Sequence, residues 1–314
     1  MFTRLSFSPP NFCWVPNRRA TKGRLSTMVG AAIAWMPIAL SLWGSPARAD
    51  DAATHYNAGL QLKREGRVPE AMSEIEKAIA LRANYAAAHL SLGNLWRAQG
   101  KYDKAAAEYE KTIEIEPKDP TAHSNLGSAY VRMKRMDDGI RELEKAAALA
   151  PEDYETRLSL GFAYRQKGDF KNAISHLQKA TELKPTDEGA WTNLGVAKSK
   201  NKDNEGAMAA FKRGLSLNPN SAENHFNLGT VYRRMGETTN AIAEYELAVR
   251  YDPKFAKAYY DLGLLYAQDR RNQDAAEAFR KYLEVGVTED APSRKEAEDR
   301  LRLLDAPKSS GRKK

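Results

Sequence analysis

Seven glycines recur at a constant step of 34 residues: Gly59, Gly93, Gly127, Gly161, Gly195, Gly229 and Gly263. A second register keeps the same step with Ala71, Ala105, Gly139, Ala173, Ala207, Ala241 and Ala275, and a third with Pro117, Pro151, Pro185, Pro219 and Pro253. Three registers of small or helix-breaking residues locked to one period describe one supersecondary unit repeated seven times. A period of this length fits paired helices stacked into an all-α solenoid. Such an array grows by addition, so the 314 residues measure the number of units and not the number of globular domains. A chain given over to repeats is expected to bind and not to catalyse.

Counting from Ala52, the units span 52–85, 86–119, 120–153, 154–187, 188–221, 222–255 and 256–289. In the second unit the first helix is expected over Ala86 to Gln99 and the second over Asp103 to Glu116. Gly100 supplies a left-handed cap between them, and Pro117 ends the second, because proline lacks the amide and clashes with the preceding turn. Gly66, Gly168 and Gly236 repeat the cap, whereas Lys134, Lys202 and Arg270 replace it, so those three turns are expected to be less well terminated. The small registers follow from close crossing: Gly93 and Ala105 let their two helices touch. Large apolar residues fill the flanks, as Leu92, Trp96 and Tyr109 do, or Leu126, Tyr130 and Leu143.

These residues resemble the tetratricopeptide repeat family, whose signature Trp191, Leu194, Gly195, Ala207, Phe211 and Pro219 carry in the fifth unit. The resemblance spans about 52–289 and implies a right-handed superhelix with the first helices on its concave face. Departures stand out in unit five: Lys198 replaces an aromatic and Gly214 an alanine, which predicts the softest joint there. Ala83 and Val287 stand where proline is usual and mark the terminal units. Beyond the repeats, Ser293 and Glu296 have capping-box spacing, and Ala297, Leu301 and Leu304 share one face of a short helix. Residues 290–304 are therefore expected to cap the array, and 305–314 to form a disordered basic tail.

The formal charge of +8 misleads about this array. Residues 1–49 hold six basic residues and no acidic one, which leaves 43 basic against 41 acidic residues elsewhere. Near neutrality gives no support for nucleic-acid binding. The basic stretch through Arg24, the apolar run Met28 to Trp43, and the small residues Ala47 and Ala49 read as an export signal cleaved after Ala49. Retention of residues 28–43 as a membrane anchor is the alternative, although the run is short and Pro37 interrupts it. A transit peptide is a further one. Cys13 is the only cysteine and would leave with the signal, which suits an oxidising compartment such as the periplasm.

Three side-chain patterns are candidates for function. His55, His89, His123 and His225 share the fourth position of their units. Neighbouring helices stand about 8–10 Å apart, too far for equivalent residues to share one metal, so they read as partly buried packing residues, with a pH-sensing role as the alternative. Asn57, Ser91, Asn125, Ser159, Asn193, Asn227 and Asp261 form a ladder at the sixth position. The family resemblance puts that position on the concave face, where amides can hold a peptide backbone of any sequence. One rung per unit would serve every third residue of an extended chain, but asparagine is also simply common at this position. Lys63, Arg64, Arg97, Arg132, Arg165, Lys200, Arg233 and Arg234 form a basic stripe, read either as a track for an acidic segment or as solvated helix ends.

A carboxylate clamp of the kind some family members carry is not matched, because Leu90 and Glu155 stand where it needs lysines. The sequence contains no phosphate loop, metal-spaced cluster or nucleophile motif, so neither enzyme activity nor a cofactor is expected. The partner expected is another protein or an extended peptide, held by an adaptor in envelope assembly or secretion. An anionic exopolysaccharide and self-association are the alternatives.

Overall fold

The computed structural model describes residues 46–286 and 291–305, with the side chains of 46–50 and 291–292 left aside. The apolar run, Cys13 and the last nine residues therefore lie outside the described residues. Fifteen helices make up the described chain, and no strand is found among the described residues. They come in pairs: α1 (Pro46–Arg64) with α2 (Val68–Leu81), α3 (Ala86–Ala98) with α4 (Tyr102–Ile115), α5 (Pro120–Arg132) with α6 (Met136–Leu149), and α7 (Tyr154–Lys167) with α8 (Phe170–Leu183). Three further pairs follow: α9 (Glu188–Lys200) with α10 (Asn204–Leu217), α11 (Ala222–Met235) with α12 (Thr238–Tyr251), and α13 (Ala256–Gln268) with α14 (Asn272–Val285). A last helix, α15 (Ala291–Asp305), packs on α14. Each pair packs against the next, which is an all-α repeat solenoid.

The glycine register has a steric cause that repeats in every unit. A Cβ on Gly93 would lie 2.6 Å from the Tyr109 ring, on Gly195 2.5 Å from the Phe211 ring, and on Gly263 2.6 Å from the Phe279 ring. The same residue sixteen positions on faces Gly59, Gly127, Gly161 and Gly229, as Ile75, Leu143, Leu177 and Tyr245. All seven of these large residues are at most 1% exposed. The glycines thus make room chiefly for a buried large side chain on the second helix, and only secondarily for the small register residue. Backbone approaches add to this at Gly127, whose Cβ would lie 2.7 Å from the Gly139 carbonyl oxygen.

Three expectations change. The turns at Lys134, Lys202 and Arg270 are closed as well as the glycine turns. Lys134 N donates to Val131 O at 3.0 Å and Arg135 N to Tyr130 O at 2.9 Å, matching Gly100 N to Arg97 O at 2.9 Å and Lys101 N to Trp96 O at 3.0 Å. The three non-glycine residues adopt φ of 63°, 66° and 60°, a left-handed conformation that costs about 1–2 kcal/mol for a residue with a Cβ. Second, α15 begins at Ala291, so Ser293 lies inside its first turn and the capping box is not formed as spaced. Third, the gap left by Gly214 is filled: its Cβ would lie 2.8 Å from Nδ2 of Asn224, a fully buried residue of the next unit. Asn224 donates to Glu188 Oε1 at 2.8 Å and accepts from Thr192 Oγ1 at 2.8 Å, while Asn218 donates to Glu188 Oε2 at 2.8 Å. Units five and six are joined by a buried polar network where a soft joint was expected. Lys198, the other departure there, lies 3.8 Å from Asp203.

Candidate binding groove

Successive first helices touch, α3 with α5, α5 with α7, α7 with α9 and α9 with α11, and no comparable run of contacts joins the second helices among the described residues. Stacking of this kind puts the first helices on the inside of the curve. Between α3 and α9 that inner face holds a cavity of about 660 Å³. Its floor is Val131, Leu143, Leu158 and Phe162, its polar groups are Ser128, Ser159 and Asn193, and Arg97, Arg132 and Tyr102 stand at its rim.

The sixth-position ladder is not uniform. Asn57 is exposed, Asn125, Asn193 and Asn227 are half-buried, and Asp261 is buried. Asn193 donates to the Gly189 carbonyl at 2.8 Å and Asn125 to Asn94 Oδ1 at 3.3 Å, an oxygen that also accepts from the Tyr109 hydroxyl at 2.9 Å. Ser159 accepts from Ser128 at 3.4 Å, and Ser91 lies 3.1 Å from the Tyr56 hydroxyl. Asp261 is drawn into an ion pair with Arg233 at 3.2 Å. Burial pushes its carboxyl above the ordinary range while Arg233 pulls it down. Ser159 and Asn193 are the two rungs that line the cavity.

The basic stripe divides in the same way. Arg233 is committed to Asp261, and Arg234 donates to Ser199 O at 2.7 Å, Ser199 Oγ at 3.0 Å and Asn204 Oδ1 at 3.2 Å. Arg165 is half-buried over the Phe162 ring at 5.3 Å, with its Nε unpartnered, and burial lowers its pKa although Glu223 acts to raise it. Arg97 and Arg132 form no ion pair among the described residues. Arg132 is held over the Tyr102 ring at 5.5 Å and donates to its hydroxyl at 3.3 Å. Lys63, Arg64 and Lys200 are exposed at helix ends.

The histidines are structural clamps. His89 Nδ1 lies 2.7 Å from Glu108 Oε2 and its Nε2 lies 3.0 Å from the Ala83 carbonyl. His123 repeats this with Glu142 at 2.8 Å and Pro117 O at 3.0 Å, and His225 with Glu244 at 2.6 Å and Pro219 O at 3.0 Å. His55 meets Glu74 at 2.6 Å. In unit five Trp191 donates to the Pro185 carbonyl at 3.0 Å, and in unit four Arg157 donates to Pro151 O at 2.9 Å. In units two to six the fourth position thus ties the first helix to the end of the preceding unit. Among the described residues no group of three or more His, Cys, Asp or Glu could hold a metal ion.

Sequence reasoning missed Leu158, Phe162 and Tyr102. Leu158 and Phe162 lie one helical turn apart on the inner face of α7, a spacing visible in the sequence, but the Leu158 position is large and apolar in most units and reads as packing, while the Phe162 position varies from unit to unit.

Residues 45–298 match the family described as the cilia and flagella-associated protein 70 C-terminal domain, a tetratricopeptide repeat family. No curated protein matches the chain. Among solved structures, a crystal structure of MamA is 32% identical at a TM-score of 0.50, covering 52% of this chain and 90% of that one. The C-terminal part of a TPR repeat-containing protein from Cytophaga hutchinsonii is 19% identical at a TM-score of 0.63, covering 78% of this chain and 99% of that one. YrrB, reported as a TPR protein with an unusual peptide-binding site, is 23% identical at a TM-score of 0.54, covering 59% of this chain and 95% of that one.

Proposed function

The chain belongs to the tetratricopeptide repeat family, and from that premise we propose that it is a non-enzymatic scaffold holding an extended segment of a partner protein along its inner face. The observation that carries this reading is the cavity across α3, α5, α7 and α9, where apolar residues, two rungs of the polar ladder and two arginines without ion-pair partners converge on one concave site. Concave sites with an apolar floor and a few placed polar groups are the usual form of a binding site. YrrB supports the reading to the extent that a solenoid of this fold can carry a peptide-binding site.

Site-specific photo-crosslinking tests it. A crosslinking residue at Ser159, inside the cavity, should capture a partner protein, and one at Arg141, exposed on α6, should not. Capture from Arg141 alone would move the working surface to the second helices.

The export signal supports action outside the cytoplasm, in an adaptor role in envelope assembly or secretion. No helix among the described residues is long and apolar enough to cross a membrane. Because α1 starts at Pro46, cleavage after Ala49 would trim its first turn and leave the buried Ala52 in place. N-terminal sequencing of the native protein should read Asp50 first; a start within residues 1–43 would contradict cleavage.

A further inference from the structure

The chemistry of the cavity narrows what it can hold. Two guanidinium groups stand at its rim and no carboxylate lines it. Of the acids on these and the next first helix, Glu188 is bound by Asn218 and Asn224 and Glu223 acts on Arg165, while Glu155, exposed one turn before Ser159 on α7, is not among the lining residues. Arg97 and Arg132 are both exposed and without ion pairs among the described residues; Arg97 acts on the Tyr109 hydroxyl and Arg132 donates through Nε to that of Tyr102. Beneath them the floor is hydrophobic: Leu158 is half-buried, and so is Phe162, one face of whose ring carries the Arg165 guanidinium at 5.3 Å. The volume of about 660 Å³ falls within the range of about 300–1,000 Å³ of small-ligand sites.

The chain's own ends have the wrong sign for this site. Residues 1–49 carry six basic groups and no acid, and Lys308, Arg312, Lys313 and Lys314 are the only charged residues of the last nine.

We propose that this cavity recognises a partner segment in which one large apolar side chain is flanked by aspartate or glutamate. The apolar side chain sits on Phe162, Leu158 and Val131, and the carboxylates meet Arg97 and Arg132. The spacing follows from the repeat. Neighbouring first helices lie about 8–10 Å apart, and an extended chain rises about 3.3 Å per residue. Carboxylates about three residues apart therefore reach both arginines with the apolar residue between them. Arginine's planar fork suits a carboxylate better than a lysine would. This inference rests on the inner-face reading above and adds the class of segment bound.

The test uses a fluorescein-labelled nine-residue peptide with a central phenylalanine and two acidic residues on each side, titrated against residues 50–314 and followed by anisotropy. Replacing the phenylalanine by serine, or the four acids by glutamine, should each weaken binding at least about tenfold. The double variant Arg97→Glu/Arg132→Glu should lose the acidic peptide and gain a lysine-flanked one, with its helical circular dichroism unchanged because both residues are exposed. That reciprocal switch places the charge recognition at these two arginines, and the serine peptide, which keeps every charge, separates it from a nonspecific charge effect. Equal binding of the serine or glutamine peptide, or no binding of the parent peptide, would overturn the proposal. So would polygalacturonate competing as well as the parent peptide, since it carries the charge without the apolar group and would make this a polyanion site. Capture of a partner from Ser159 despite a failed peptide titration would leave the inner-face reading standing and remove only the specificity; failure of both would remove the two together.

Discussion

Gly214 and Asn224 face each other across the junction of units five and six: a Cβ on the glycine would lie 2.8 Å from the asparagine's Nδ2. The equivalent pair is two alanines at three of the other five junctions, Ala78 with Ala88, Ala180 with Ala190 and Ala248 with Ala258, and one alanine with one threonine at the remaining two. Here one side has lost its methyl and the other has gained an amide. The buried amide then satisfies Thr192 and Glu188. Gly214→Ala alone should destabilise the array by about 1–3 kcal/mol through overpacking. Gly214→Ala combined with Asn224→Ala restores the common pair and should recover much of that loss. Chemical denaturation of both variants checks this coupling; additive effects would mean the two residues do not share the site.

Gly195→Leu tests the principal register. Its side chain would enter the space of the Phe211 ring, whose atoms already lie 2.5 to 2.8 Å from an added Cβ. Loss of about 1–3 kcal/mol is expected. In a nearest-neighbour array the damage stays local, so α1 to α4 should keep their hydrogen-exchange protection. Uniform loss of protection across all pairs would contradict a solenoid.

His176 gives the chain an acid sensitivity of known sign. It stacks on Tyr164 with ring centroids 5.6 Å apart, and its Nδ1 lies 3.4 Å from Arg157 Nη1. Burial first, and then the charge of Arg157, lower its pKa below the ordinary 6.5, against a smaller opposing pull from Glu144. The unfolded chain therefore binds a proton that the folded one resists. Stability is full above about pH 6.5 and falls as pH drops through that value toward the lowered one. His176→Asn should flatten the change in stability between about pH 7 and 5. Burial alone would raise the Glu142 carboxyl, but hydrogen bonds from Lys145 and His123 hold it below its ordinary 4.5. Its contribution is thus lost only at lower pH, in a separate window. An unchanged slope in His176→Asn would show that this histidine is not the group titrating.

The period, the paired helices and the glycine register were legible because each rests on a local steric rule that every unit must obey. A bulky residue at Gly93 or Gly263 would strike a ring sixteen residues on, whatever the rest of the chain does. The histidine clamps were half legible. Glu74, Glu108, Glu142 and Glu244 stand nineteen residues after His55, His89, His123 and His225, but only the folded pair of helices shows that they meet. The cavity was least legible. Arg97 and Arg132 were visible as part of a stripe, but Arg233 and Arg234 looked the same and are spent on internal bonds. Phe162 follows no register, and Leu158 shares its position with large apolar residues in four other units, so neither stood out as anything but packing.

Binding kinetics of three variants against the partner captured from Ser159, at low and high salt, test most directly whether the inner face is the working surface. Asn125→Ala/Asn193→Ala/Asn227→Ala removes amides worth about 0.5–1.5 kcal/mol each and should speed dissociation. Arg97→Ala/Arg132→Ala should slow association and flatten its salt dependence. Lys111→Glu/Arg141→Glu, exposed on the second helices, should leave both rates unchanged. If the first two variants bind as the parent does while the third does not, the partner is held on the outer surface and the inner-face reading is wrong.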